Sequence, residues 1–278
     1  MADEIAVSSH GVELAGEQSA SEGPVICLLH GLTATREVVV HGSKHLPRWG
    51  YRLISYDARG HGLSEAAPAG SYGYDNLADD AAAVLAAADG EGRPVLAGHS
   101  MGAHTIAALA LRDPGALAGI VLISPAVVGE PPGEESLAAW DRLADGLERD
   151  GVEGFIEAYD HGLAPEWRET LFRIARQRLK RHEHPEAVAQ ALREVPRSIP
   201  FDGMGALDAL DAPALVVASH DEADPGHPYA VAAAWREALP EARLISEEPG
   251  ESPLAWQGGK LSRAIEEFCA SDAVMERR

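Results

Sequence analysis

The chain has 278 residues, with 23 Lys+Arg against 44 Asp+Glu, a formal net charge of −21. That balance argues against nucleic acid or anionic lipid as partner, since both are held by clustered cations. Hydrophobic residues make up 46% of the chain and are interrupted throughout by charge, which excludes a long disordered tract and leaves room for one large α/β core.

Only Cys27 and Cys269 occur, too few to staple a fold of this size, and both read as reduced core thiols. Lysine stands at positions 44, 180 and 260 only, so arginine carries the basic character. Biased base composition explains this, as does a high-salt habitat, where an acidic surface stays hydrated. The N-terminus has no basic region followed by an apolar one, and no stretch reaches the roughly 20 apolar residues that span a bilayer. The expectation is a cytoplasmic protein.

In chain order, Ile5 and Val7, a turn at His10-Gly11, then Val12 and Leu14 read as a β-hairpin. A continuous apolar run at 24–29 reads as a strand buried on both faces, and 51–56, 94–97, 119–123, 214–218 and 242–245 read as further strands. Helical patterns occupy 36–48, 75–88, 101–112, 229–239 and 261–270. Strand alternating with helix means a mostly parallel sheet with helices on both faces. The segment 130–200 breaks the alternation. Helical patterns at 135–148, 152–159, 166–181 and 186–193 lie between Pro131-Pro132-Gly133 and Pro196. This reads as a helical cap inserted into a core of 1–129 and 201–278, over the sheet's C-terminal edge where such folds bind ligands.

Gly98-His99-Ser100-Met101-Gly102 follows a strand and opens a helix, the context of a nucleophile elbow. The sharp turn strains the serine backbone, and the glycines let neighbouring backbones pass. Oγ is then exposed at a helix N-terminus that favours negative charge. The N–H of Met101 is expected to face an oxyanion, with the N–H of Leu32 in His30-Gly31-Leu32 as the second donor. Asp57-Ala-Arg59-Gly60-His61-Gly62-Leu63-Ser64 reads as a structural loop.

On these motifs the chain resembles the α/β-hydrolases of the serine-nucleophile branch, which includes esterases, haloperoxidase-like enzymes and lactonases. The resemblance runs from about residue 5 to 270. It implies a serine hydrolase acting on a small or medium carboxylic ester or related acyl compound through an acyl-Ser100, without a cofactor. It places the acid after the penultimate strand, where Asp224 matches best and Asp221 is the fallback. The family histidine belongs after the last strand, at Gly250-Glu251. A glutamate stands there, and no histidine follows His227. Three readings stay open. Glu251 is a desolvated base, or His227 or His220 swings in from the acid loop, or the chain is a ligand-binding or regulatory pseudo-hydrolase.

His99 is a poor base, since a side chain just before the nucleophile should point away, and His104 lies one turn into the helix. His182-Glu183-His184 reads as a solvated helix end with no metal role. The pocket for a small-molecule substrate or ligand is assigned to His30, Gly31, His99, Trp140, Phe155 and Tyr159.

Overall fold

A computed structural model describes residues 2–88, 90, 92–160, 165–220, 224, 226–248, 256 and 259–278. The strands are β1 (Ala2–Ser9), β2 (Val12–Ser19), β3 (Val25–Leu29), β4 (Arg52–Tyr56), β5 (Val95–His99), β6 (Gly119–Ile123), β7 (Ala214–Val217) and β8 (Ala242–Ile245). The helices are α1 (His45–Arg48), α2 (Tyr74–Ala87), α3 (Met101–Arg112), α4 (Glu134–Tyr159), α5 (Pro165–Leu179), α6 (Pro185–Glu194), α7 (Tyr229–Ala238), α8 (Gly259–Cys269) and α9 (Asp272–Met275).

The sheet runs β1-β2-β4-β3-β5-β6-β7-β8. β1 and β2 form the antiparallel hairpin, and β2 meets β4 antiparallel. His10 (φ 49°) and Gly11 (φ 78°) both take the left-handed backbone that a two-residue hairpin turn requires. From β4 to β8 every pairing is parallel.

Period-two side-chain alternation gives each central strand two apolar faces. Cys27, Leu29, Leu96, Ile120 and Val216 pack on one side with Ile106 of α3 and Trp235 of α7. Ile26, Leu28, Ala97, Val121 and Val217 pack on the other with Leu46 of α1 and Ile265 and Phe268 of α8. Both cysteines are buried and unpaired. The sheet therefore has helices on both faces, as the strand–helix alternation predicts.

The helical pattern at 36–48 is not one helix. A 3₁₀ turn at Arg36–Val38 and the short α1 are separated by His41 (φ 50°) and Gly42 (φ 70°). Three consecutive valines at 38–40 weaken helix propensity just ahead of that break. α4 is interrupted at Asp150-Gly151, where Gly151 has φ 61°, which recovers the two patterns seen in the sequence. Helices α4, α5 and α6 share a core of Ala144, Leu147, Phe155, Ile156, Leu179 and Val188, against which Leu32 also packs. Ala187 and Ala191 of α6 pack with Met101. The segment between β6 and β7 thus packs against Leu32 and against Met101, the residue after Ser100. No helix among the described residues is long and apolar enough to cross a membrane.

Candidate active site

Ser100 ends the strand β5 and begins α3 with φ 51° and ψ −112°. Such a backbone is strained for a residue with a Cβ, and it persists only where the surroundings enforce it. Here they do. The Ser100 N–H donates to the Ile123 carbonyl at 2.9 Å. A Cβ on Gly98 would fall 2.4 Å from the Gly102 carbonyl carbon, and one on Gly102 only 2.3 Å from the Leu29 carbonyl oxygen. Only glycine at both positions lets α3 cross β3 and β5 this closely.

The ends of β5, β6 and β7 are in register, with His99 beside Ile123 and Ile123 beside Val217. Two strand spacings are about 10 Å, so the loop leaving β7 reaches back to Ser100. His227 in that loop places Nε2 2.8 Å from the Ser100 Oγ. Its Nδ1 lies 2.8 Å from Asp224 Oδ2. The Nδ1–H donates to the carboxylate, leaving Nε2 to accept the serine proton. Asp224 would be pushed up by burial, but the hydrogen bond from His227, with the charges of His227, His99 and Arg178, outweighs this and holds it below the usual carboxylate range.

Of the other residues named for the base, His220 is turned away. Its ring stacks on Tyr229 at 4.0 Å, and its backbone N–H donates to Glu247 Oε1 at 2.6 Å. Glu247 also accepts from the Ser219 Oγ at 2.6 Å and the Trp256 indole at 3.2 Å. This buried carboxylate, which the sequence reading passed over, fastens the loop after β8 to the loop that carries Asp224. Glu251 and Asp221 lie outside the described residues.

The backbone N–H groups of Leu32 and Met101 donate to no acceptor among the described residues. Free donors at a helix start and beside a strained serine are suited to receive an anionic oxygen.

Several expectations are corrected. His99 does not point away from the site. Its ring centre is 5.3 Å from that of His227, and burial first, then the His227 charge, lowers its pKa to about 3. His30 borders a small internal cavity together with Tyr56, Met101 and Thr105. It is buried, donates from Nδ1 to the Gly31 carbonyl at 2.8 Å and accepts the Ala58 N–H at Nε2 at 2.9 Å. Phe155 lies inside the helical core, where it stacks on the partly buried Tyr159 at 5.7 Å, and Trp140 packs against that core. His182 is not solvated. It accepts the Gly62 N–H at Nδ1 (2.8 Å) and donates from Nε2 to the Thr33 carbonyl (3.0 Å). A histidine beside a proline-started helix looked like an exposed terminus, and only tertiary packing shows otherwise.

The Asp57–Ser64 loop is architecture throughout. Asp57 binds the Arg36 guanidinium and accepts the Arg36 and Leu63 N–H groups. Arg59 forms a buried two-pronged pair with Asp80 at 2.7 and 2.6 Å. His61 accepts the Thr33 N–H and donates to the Arg59 carbonyl. His104, held neutral by burial with a pKa near 3, accepts the Ala126 N–H and donates to the Tyr74 hydroxyl.

Comparison with known proteins places this geometry in context. A family model described as serine aminopeptidase, S33, matches residues 21–149. The RutD protein of Agrobacterium fabrum, a candidate carbamate hydrolase, is 29% identical over 226 residues, covering 81% of this chain and 84% of the relative. The RutD protein of Variovorax paradoxus is 31% identical over 63% of this chain and 65% of its own. Among solved structures, a thermophilic esterase from Thermogutta terrifontis superposes with a TM-score of 0.76 at 24% identity, covering 96% of this chain and 97% of the esterase. An enol-lactonase from Burkholderia xenovorans LB400 gives 0.71 at 22% identity, over 98% of this chain and 100% of the lactonase.

Proposed function

We propose that this chain, which shares the α/β-hydrolase fold with the solved structures it resembles, is a serine hydrolase for small or medium carboxylic esters or related acyl compounds, with Ser100 as nucleophile, His227 as general base and Asp224 as the residue that orients it. The observation that carries this reading is the pair of 2.8 Å contacts linking Ser100, His227 and Asp224. Neutral imidazole is the side chain best matched to shuttling a proton near neutral pH.

In the first step Ser100 Oγ bonds to the acyl carbon while its proton passes to His227 Nε2. The oxyanion lies between the N–H groups of Leu32 and Met101. Collapse breaks the bond to the leaving group, which takes the proton from His227. Water, deprotonated by the same imidazole, then releases the acid and restores Ser100. The carbamate named for the RutD relatives is an acyl compound open to the same steps. Residues 130–200 act as a cap on a core of 1–129 and 201–278, since α6 and the helical core rest on Met101 and Leu32. A non-catalytic relative was worth weighing when the family histidine position held only Glu251. With an imidazole on the serine from another loop, that premise loses its support.

The test is labelling by a fluorophosphonate probe and hydrolysis of 4-nitrophenyl acetate, each on wild type and Ser100→Ala. Both activities are expected in wild type and neither in the variant. Wild-type hydrolysis undiminished by Ser100→Ala would overturn the serine mechanism.

A further inference from the structure

His220 and Tyr229 stand at the two ends of the stretch that supplies Asp224 and His227. His220 lies just beyond β7, and Tyr229 opens α7. Their rings stack, with centres 4.0 Å apart and planes 18° apart. Between them the His227 N–H donates to the Asp224 carbonyl at 3.1 Å, and the side chains of the same two residues meet at 2.8 Å. Acid and base thus share one turn, and a pair of stacked rings closes it.

The backbone under the His220 ring is held by Glu247. Its Oε1 accepts the His220 N–H and the Ser219 hydroxyl, each at 2.6 Å. Its Oε2 accepts the Trp256 indole N–H at 3.2 Å, and that N–H also donates to the Ala218 carbonyl at 2.8 Å. Burial would push Glu247 up, but the hydrogen bonds from Ser219, its own backbone, His220 and Trp256 outweigh this and hold it below the usual carboxylate range. Bonds to a charged acceptor are stronger than neutral ones. Residues 218–220 are therefore tied to the segment after β8. Proton transfer depends on such stiffness. A misplacement of about 1 Å can cost about 10²-fold in rate. Closing both ends of a loop removes conformations that the reaction would otherwise have to exclude.

We propose that His220 and Glu247 are positioning residues for the reaction: Glu247 fixes the His220 backbone, the His220 ring stacks on Tyr229, and this clamp holds Asp224 and His227 at Ser100. This rests on the serine-hydrolase reading. It gives His220 a role that needs its flat ring and not its proton, which separates it from a general base.

The experiment measures kcat and KM for 4-nitrophenyl acetate in wild type, His220→Ala, His220→Phe, Glu247→Ala, Glu247→Gln and Tyr229→Leu, with urea titrations to show that each variant is folded. Phenylalanine keeps a flat ring, and glutamine keeps an acceptor for Ser219 and His220. The two alanine variants and Tyr229→Leu should lose about 10- to 100-fold in kcat with KM within about twofold, and His220→Phe and Glu247→Gln should stay within about fivefold of wild type. Tyr229→Leu breaks the stack and leaves the carboxylate in place, so it keeps the test decisive where Glu247→Ala does not fold. His220→Phe as inactive as His220→Ala, losses carried by KM, or kcat unchanged in the alanine variants would overturn the proposal. The clamp is read separately from the His227 Nδ1–H resonance in proton NMR, identified by its loss in His227→Ala, on Ser100→Ala and Ser100→Ala/His220→Ala. A resonance present in the first and lost or broadened in the second supports the clamp even where wild type hydrolyses nothing, which would then count against the serine mechanism alone. A resonance equal in the two, or missing from both, overturns the clamp.

Discussion

Ser100 and His227 are 127 positions apart in sequence, yet Oγ and Nε2 meet at 2.8 Å. The imidazole arrives from the loop after β7, the same loop that supplies Asp224 three residues earlier. One short turn therefore carries both the base and the group that orients it.

That shared turn makes the tautomer depend on Asp224. With Asp224→Asn, the amide can donate to Nδ1, moving the ring proton to Nε2 and directing it at the serine. A fall of about 10⁴ in kcat is expected with little change in stability. Steady-state kinetics beside a urea titration checks this. A loss of less than tenfold would remove Asp224 from the role.

Gly102 tests the elbow. Its missing Cβ is what lets α3 lie against the Leu29 carbonyl. Gly102→Ala places a methyl where no atom fits, with a destabilisation of about 1–3 kcal/mol or more and a displaced Ser100. Denaturant unfolding and fluorophosphonate labelling should both report it. Unchanged stability and labelling would show that the close approach is not required.

His182 ties the end of α5 to the Thr33 and Gly62 loops, and its pKa is lowered to about 4, first by burial. Between an unfolded value near 6.5 and a folded value near 4, the unfolded chain binds the extra proton and the folded chain resists it. Stability is therefore full above about pH 6.5, falls as pH drops towards 4, and levels below that, by about 3 kcal/mol for this group. His182→Gln keeps a donor and an acceptor but does not titrate. Unfolding free energies from pH 7 to 4 should fall less steeply in this variant than in wild type. Parallel curves would contradict the assignment.

Local constraints were legible and tertiary ones were not. The Gly98–Gly102 spacing announced the elbow because its sterics are confined to five residues and one crossing strand. The apolar run at 119–123 became a fully buried strand over those same residues, since continuous apolar sequence leaves few alternatives between two helix layers. The pocket was harder. His30 and His182 carry the same side chain as His227, and only the approach of separate loops makes two of them backbone fasteners and one the partner of Ser100.

The central claim is that His227 is the base although the position after the last strand holds Glu251. Its most direct measurement compares kcat for 4-nitrophenyl acetate in His227→Ala and Glu251→Gln against wild type. The expected result is a loss of about 10⁶-fold for His227→Ala and a change within about threefold for Glu251→Gln. Full activity in His227→Ala together with inactivation by Glu251→Gln would contradict it.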